Sequence, residues 1–160
     1  MPAGMVRRAT PDDIPFIMAT ERMPGYEKTV GRFEEATHLR QIDDPTFLYL
    51  VGADLGFAIF TDLDDHFGNA CLRRFAVTAP AKGYGSRLLP IVLDHAFKEH
   101  GTIHRIWLRL VAGNKAAIAL YEKTGFVHEG VQRQAGIKPG IGRFDFVQMS
   151  ILRPEWQAGA

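Results

Sequence analysis

Two short segments of this 160-residue chain carry residue types that could bind or transform a small molecule. The first is Phe75-Ala76-Val77 followed by Lys82-Gly83-Tyr84-Gly85-Ser86, an apolar run that breaks into a glycine-containing turn. If a helix starts there, its first N–H groups are unpaired and its dipole is positive at that end, so a phosphate can sit on it. Lys82 would add one positive charge. A tight strand-to-helix turn with no ligand would use the same two glycines. The turn lacks the spacing and Lys-Ser/Thr ending of a P-loop, and it lacks the third glycine and later acid of a dinucleotide fingerprint.

The second segment runs from Val111 to Phe126 and includes Asn114, Ala117, Ile118 and Tyr121. Asn114 and Tyr121 are seven residues apart, so on a helix they share a face roughly 10.5 Å apart. Small Ala117 lies between them and leaves room for a slender ligand. An N-cap asparagine and a core tyrosine would account for the same two positions.

These segments need elements to hold them. Thr10-Pro11-Asp12-Asp13 has an N-cap residue, a proline at the first helical position and two acids where the dipole favours them, so a helix is expected over about 11–22. A strand over Met5–Ala9 precedes it, and a second helix over about 32–43 ends before Pro45. Thr46–Val51, Phe57–Leu63 and Ala70–Thr78 read as a meander of strands. In the third of these, strict alternation places Cys71, Arg73, Phe75 and Val77 on one face and Leu72, Arg74 and Ala76 on the other. Arginines on both faces hint at a cleft on one side.

With Ser86 as N-cap, an amphipathic helix runs to about His100 and buries Leu88, Leu89, Val92, Leu93, Ala96 and Phe97. Pro90 then falls fourth, where its missing N–H has no intrahelical partner to lose. His104–Val111 is a strand, Asn114–Thr124 a helix closed by Gly125, Phe126–Val131 a strand, Gln132–Arg143 a Gly-rich basic connection, and Phe144–Leu152 a last strand. The order β-α-α-β-β-β-α-β-α-β-β predicts an α/β fold with helices on both faces of a mixed, mostly antiparallel sheet.

Composition narrows the setting. Apolar residues make up 46% and charged residues 23%, enough for a real core, and the length suits one domain over 1–160. With 19 Lys and Arg against 18 Asp and Glu, no strong field favours nucleic acid or a membrane surface. No apolar stretch approaches the roughly 20 residues that span a bilayer. Met1–Arg8 lacks the apolar block of a signal peptide, and Cys71 is the only cysteine, so a cytoplasmic protein without disulfide or cysteine-based metal site is expected.

Leu72-Arg73-Arg74-Phe75-Ala76-Val77, then Lys82 to Ser86, then Asn114, Ala117, Leu120-Tyr121 and Gly125-Phe126 together resemble the GCN5-related N-acetyltransferase (GNAT) superfamily. The match is close over about 69–130, and Arg133-Gln134-Ala135 with Phe144–Met149 looks like the tail of its ribosomal-protein and small-amine acetyltransferase subgroup. The resemblance implies acetyl-CoA as acyl donor and a primary amine, on a small molecule or a protein N-terminus, as acceptor. It implies that Lys82, Gly83, Tyr84, Gly85 and Ser86 bind the CoA pyrophosphate through backbone N–H groups. Pro80 stands where that pattern has Gln or Arg, which removes a side-chain contact and one N–H. The backbone of Phe75, Ala76 and Val77 would pair with pantetheine and hold the thioester oxygen, Asn114 would hydrogen-bond pantetheine with Ala117 beside it, and Tyr121 would give a proton to the departing thiolate.

The resemblance leaves the base open. No Glu lies between Gly56 and Lys98, so Asp62, Asp64, Asp65, Asp145, His66, His128 and water are the candidates. Acceptor specificity is expected in Glu21–Gly31 and Gln132–Arg143, and Cys71 is read as a small core residue. Direct attack in a ternary complex is the primary reading, across a V-shaped gap between 70–78 and 104–111. A non-catalytic acetyl-CoA sensor and a phosphate-loop nucleotide binder are the alternatives, and a homodimer is left open.

Overall fold

The computed structural model describes residues 5–159, so the leader reading at Met1–Gly4 lies outside the described residues. Strand β1 (Val6–Arg8) leads through a 3-10 turn at Pro11–Asp13 into α1 (Ile14–Glu21), and α2 (Glu35–Ile42) follows. Then come β2 (Leu48–Gly52), β3 (Gly56–Thr61), β4 (Asn69–Val77), α3 (Tyr84–Glu99), β5 (Arg105–Val111), α4 (Lys115–Thr124), β6 (Val127–Lys138), β7 (Gly142–Leu152) and α5 (Arg153–Ala158). The seven strands form one sheet in the order β1-β2-β3-β4-β5-β7-β6. Every pairing is antiparallel except β4 with β5. The expected mixed, mostly antiparallel architecture with helices on both faces is therefore observed.

Each face carries its own core. Leu50, Phe60, Leu88, Leu93 and Met149 belong to one cluster, which packs under α3 and α4. Ile14, Ile17, Ile42, Phe57 and Ile59 form the other, under α1 and α2. Strands β2 and β3 are buried along their whole length because both faces are covered, and this explains their continuous apolar runs. The six α3 residues expected inside are all buried.

Four local expectations are corrected. Helix α3 starts at Tyr84 with Gly83, in left-handed conformation (φ 77°), as N-cap rather than Ser86. Pro90 is therefore interior, and the Ser86 carbonyl loses the N–H that an ordinary residue would offer it. Residues 132–143 are not an open connection: β6 runs to Lys138 and forms a long hairpin with β7, with register shifts at His128/Gly130 and Gln132/Gly136. The Asp145 carboxylate accepts the Gln134 N–H at 2.7 Å, which holds the second irregularity where Gln134 is left-handed (φ 50°). Helix α5 follows β7 directly and places Trp156 against Phe97.

The fourth correction concerns β4. Its register with β3 shifts between Ile59/Arg74 and Phe60/Leu72, so Arg73 is an extra, bulged residue. Strict alternation is lost. Leu72 belongs to the core under α3 and α4, whereas Arg74 turns to the α1 side and meets Phe33.

Candidate active site

Strands β4 and β5 pair only at Asn69/Arg105, Ala70/Ile106 and Cys71/Trp107. Beyond that point they part, and a cavity of about 1040 Å³ opens between them. The splay leaves backbone groups along Leu72–Ala76 without ladder partners on the β5 side, so they are available to a ligand. A cavity of this volume is at the upper end for small-molecule sites.

Gly83, Gly85 and Ser86 stand at one end of the cavity. The first helical N–H with a partner here is that of Arg87, bonded to the Gly83 carbonyl at 3.2 Å, so the earlier amides of the turn are free donors. Ala81 is also left-handed (φ 62°), and alternate left-handed residues shape a backbone concavity of the kind that binds anions. No atom lies within 4 Å of where a Cβ of Gly83 would stand, so this side of the turn is open. Lys82 and Tyr84, expected at the phosphates, are not on the cavity wall: the Lys82 side chain is exposed to solvent, and Tyr84 packs near Arg87.

Phe75, Ala76 and Val77 line the cavity from β4, and Asn114, Ala117 and Tyr121 line it from α4. Asn114 caps α4, its Oδ1 accepting the Ala117 N–H at 3.3 Å, so the helix-capping and ligand-lining readings both apply to it. Its amide nitrogen remains a donor. Tyr121 is buried and packs edge-on against Phe126, with ring centroids 5.4 Å apart. Burial raises its phenol above the ordinary value, which keeps the proton on oxygen through neutral pH.

The side chains considered for the base do not meet in the cavity. Asp65 accepts N–H bonds from Phe67 and Asn69, Asp145 from Gln134, and exposed His128 pairs with Glu122. Asp62 borders a smaller neighbouring cavity, and His66 stacks edge-on with Phe67. Cys71 lies on the wall, but burial pushes its thiol up to about 11, so it is no ready nucleophile.

The two segments expected to set acceptor specificity, Glu21–Gly31 and Gln132–Arg143, both reach the other half of the site, through individual contacts that the sequence did not single out. The segment 24–31 lines the cavity opposite α4, and its Tyr26 hydroxyl donates to the Val77 carbonyl. The Lys138 ammonium donates to the Glu27 carbonyl at 2.6 Å and ties the β6–β7 hairpin across to the same segment. Behind them, buried Glu21 holds three donors: His38 Nε2 at 2.6 Å, Arg22 at 2.8 Å and the Phe33 N–H at 3.3 Å. His38 Nδ1 meets the Tyr49 hydroxyl at 2.8 Å. The Arg74 guanidinium lies over the Phe33 ring at 4.0 Å, and its buried Nη1 has no hydrogen-bond partner. An unmade bond of that kind costs about 1–3 kcal/mol or more. The sequence signals for this region were the arginine pair in 70–78 and the two segments expected beside the acceptor; the Glu21–His38–Tyr49 chain behind them had none.

Residues 16–126 match the acetyltransferase (GNAT) family model. The chain belongs to this family. Its co-substrate is acetyl-CoA, and it is an N-acyltransferase. Among solved structures, the spermidine N-acetyltransferase SpeG of Vibrio cholerae in complex with CoA and spermine superposes with a TM-score of 0.78 at 23% identity, over 95% of this chain and 96% of that one. A chimera of the Vibrio cholerae enzyme and hSSAT gives 0.81 at 22% identity, over 95% and 96%. These likenesses establish a shared fold. The residues present suit the co-substrate: free amides at the start of α3 face one end of the cavity, and unpaired backbone groups of β4 run along it.

Proposed function

We propose that this GNAT acetyltransferase moves an acetyl group from acetyl-CoA to the primary amine of a small molecule by direct attack in a ternary complex. The single observation that carries this reading is that the splay between β4 and β5 brings an anion-binding turn, a free edge of backbone and a protonated phenol to one cavity. Gly83, Gly85 and Ser86 hold the pyrophosphate, while Phe75–Val77 and Asn114 align the pantetheine arm. Bound acetyl-CoA supplies an activated acyl carbon. A backbone N–H of β4 stabilises negative charge on the thioester oxygen as the amine nitrogen attacks. The C–N bond forms, the C–S bond breaks, and Tyr121 donates its proton to the departing sulfur. The proton lost by the amine leaves through water, since no carboxylate or histidine lines the cavity among the described residues.

Other lines fit the same proposal. A single cysteine and no disulfide suit a cytoplasmic enzyme, and among the described residues no helix is long and apolar enough to cross a membrane. Thiol release from acetyl-CoA is the test, measured over amino acids, polyamines, aminoglycosides and N-terminal peptides. Amine-dependent release is expected. Tight acetyl-CoA binding with no release on any amine would make the protein a sensor instead.

A further inference from the structure

Five of the chain's cationic side chains, Lys28, Arg73, Arg74, Arg109 and Lys138, line the main cavity, and no Asp or Glu does among the described residues. The whole chain is nearly balanced at 19 basic against 18 acidic side chains, so the imbalance is local to the site. None of the five is in an ion pair with the described residues. The charge of Glu21 is felt at Arg74, but its oxygens are hydrogen-bonded to His38, Arg22 and the Phe33 N–H rather than to that arginine.

The cations are not grouped at the phosphate end. Arg73 and Arg74 stand where β4 begins to part from β5, and Val77 stands where β4 runs into the phosphate turn. Arg73 and Arg74 are four and three positions of strand from Val77, roughly 13 and 10 Å. Arg109 is on β5 at the same level, stacked over Phe146 at 4.3 Å. The arginines therefore face the half of the cavity bounded by segment 24–31 and the β6–β7 hairpin, away from the α3 amides.

From this placement we infer that the acceptor is a small amine that also carries a carboxylate, with Arg74 as the residue that binds it and Arg73 and Arg109 as its charged surround. The inference rests on the acetyl-transfer reading and specifies its substrate class. A planar guanidinium matches the two oxygens of a carboxylate, and Arg74 has a buried Nη1 still to satisfy. The stack on Phe33 fixes its plane. Gly31 allows the approach, since a Cβ there would lie 2.4 Å from Arg74 Nη2. The same positive field disfavours the ammonium form of the acceptor nitrogen, which suits a cavity without a base. A polycation such as a polyamine would find no carboxylate partner there. The bond from Lys138 to Glu27 joins two walls over this half of the cavity and favours a compact acceptor over a polypeptide.

The test compares matched amines with and without the carboxylate: an amino acid, its amide and its decarboxylated amine, with spermidine and an N-terminal peptide alongside. kcat/KM for thiol release should favour the carboxylated member by at least about tenfold, the scale of one charge-assisted hydrogen bond. Arg74→Gln should raise KM for that member by a similar factor and so remove most of its advantage over the amide. The wild-type comparison decides the matter even if the variant folds poorly. Calorimetry on the CoA complex reads binding without turnover, and the carboxylated amine should again bind more tightly than its amide. Preference for spermidine, for the peptide or for the decarboxylated amine would overturn the inference while leaving acetyl transfer intact. Absence of thiol release on every amine would instead overturn the acetyl-transfer reading.

Discussion

His38 Nε2 lies 2.6 Å from Glu21 Oε1, and neither side chain has any solvent exposure. The pair joins α2 to the end of α1 and continues through His38 Nδ1 to Tyr49 on β2. Burial, and then the Glu21 charge, raise the Tyr49 phenol above its ordinary value, so Tyr49 stays neutral and its hydroxyl donates a hydrogen bond to Gln41 Oε1 at 2.9 Å. This chain of bonds fixes the two helices whose connection forms the acceptor wall.

Removing one member should therefore be costly. Glu21→Ala leaves His38, Arg22 and the Phe33 N–H without their acceptor, and a loss of about 3–5 kcal/mol is expected. Urea unfolding measures it. A loss below about 1 kcal/mol would mean that water replaces the carboxylate.

Tyr121→Phe keeps the packing on Phe126 and removes only the hydroxyl. It should lower kcat by about 10²–10⁴-fold if the phenol is the general acid. The raised phenol keeps its proton, so wild-type kcat should show no falling limb below about pH 10, the ordinary tyrosine value. A falling limb at lower pH in the wild type that disappears in the variant would contradict the protonated-donor role.

Gly83→Glu places a carboxylate beside the free amides of α3 and forces a side chain into a left-handed position (φ 77°). Acetyl-CoA affinity should fall by at least about tenfold. Gly83→Ala separates the two effects, since it carries the strain of roughly 1–2 kcal/mol without the charge. Equal affinity in wild type and Gly83→Glu, by calorimetry, would remove the turn from the phosphate site.

Glu129 on β6 ties three strands together. Burial pushes its carboxyl up, but bonds from Gln148, Arg105 and Ser150 outweigh that, and the net shift is below the ordinary value of 4.5. A lowered folded-state value contributes stability above the ordinary value and loses it as pH falls through 4.5 toward the folded value. Glu129→Gln should therefore lower Tm at neutral pH and flatten the acid side of the Tm–pH curve. A variant curve parallel to wild type on the acid side would show that Glu129 does not titrate in unfolding.

What the sequence determined by itself was local in origin. The apolar period of α3, the free amides expected after Val77, the shared face of Asn114, Ala117 and Tyr121, and the order of strands and helices all follow from residues within a few positions of each other. Helix and strand periods and turn chemistry are short-range properties, so they are written in consecutive letters. The resemblance that named acetyl-CoA used the same stretches.

The tertiary structure decided how the acceptor half is assembled from the segments expected there. One bulged residue, Arg73, sends Leu72 and Arg74 to opposite faces, and nothing in Leu72-Arg73-Arg74 announces it because the extra residue is defined only by its partner strand. Residues 132–138, expected as part of an open connection, become strand because β7 offers them a ladder, and the irregularity between Gln132 and Gly136 absorbs the residues that do not fit it. Glu21 and His38 are 17 residues apart, and Lys138 and Glu27 are 111 apart. The cations of the cavity likewise come from four separate segments: 24–31, β4, β5 and β6. Contacts of that range depend on register and packing, and a charge imbalance in a cavity is invisible to a net charge of +1 summed over the chain.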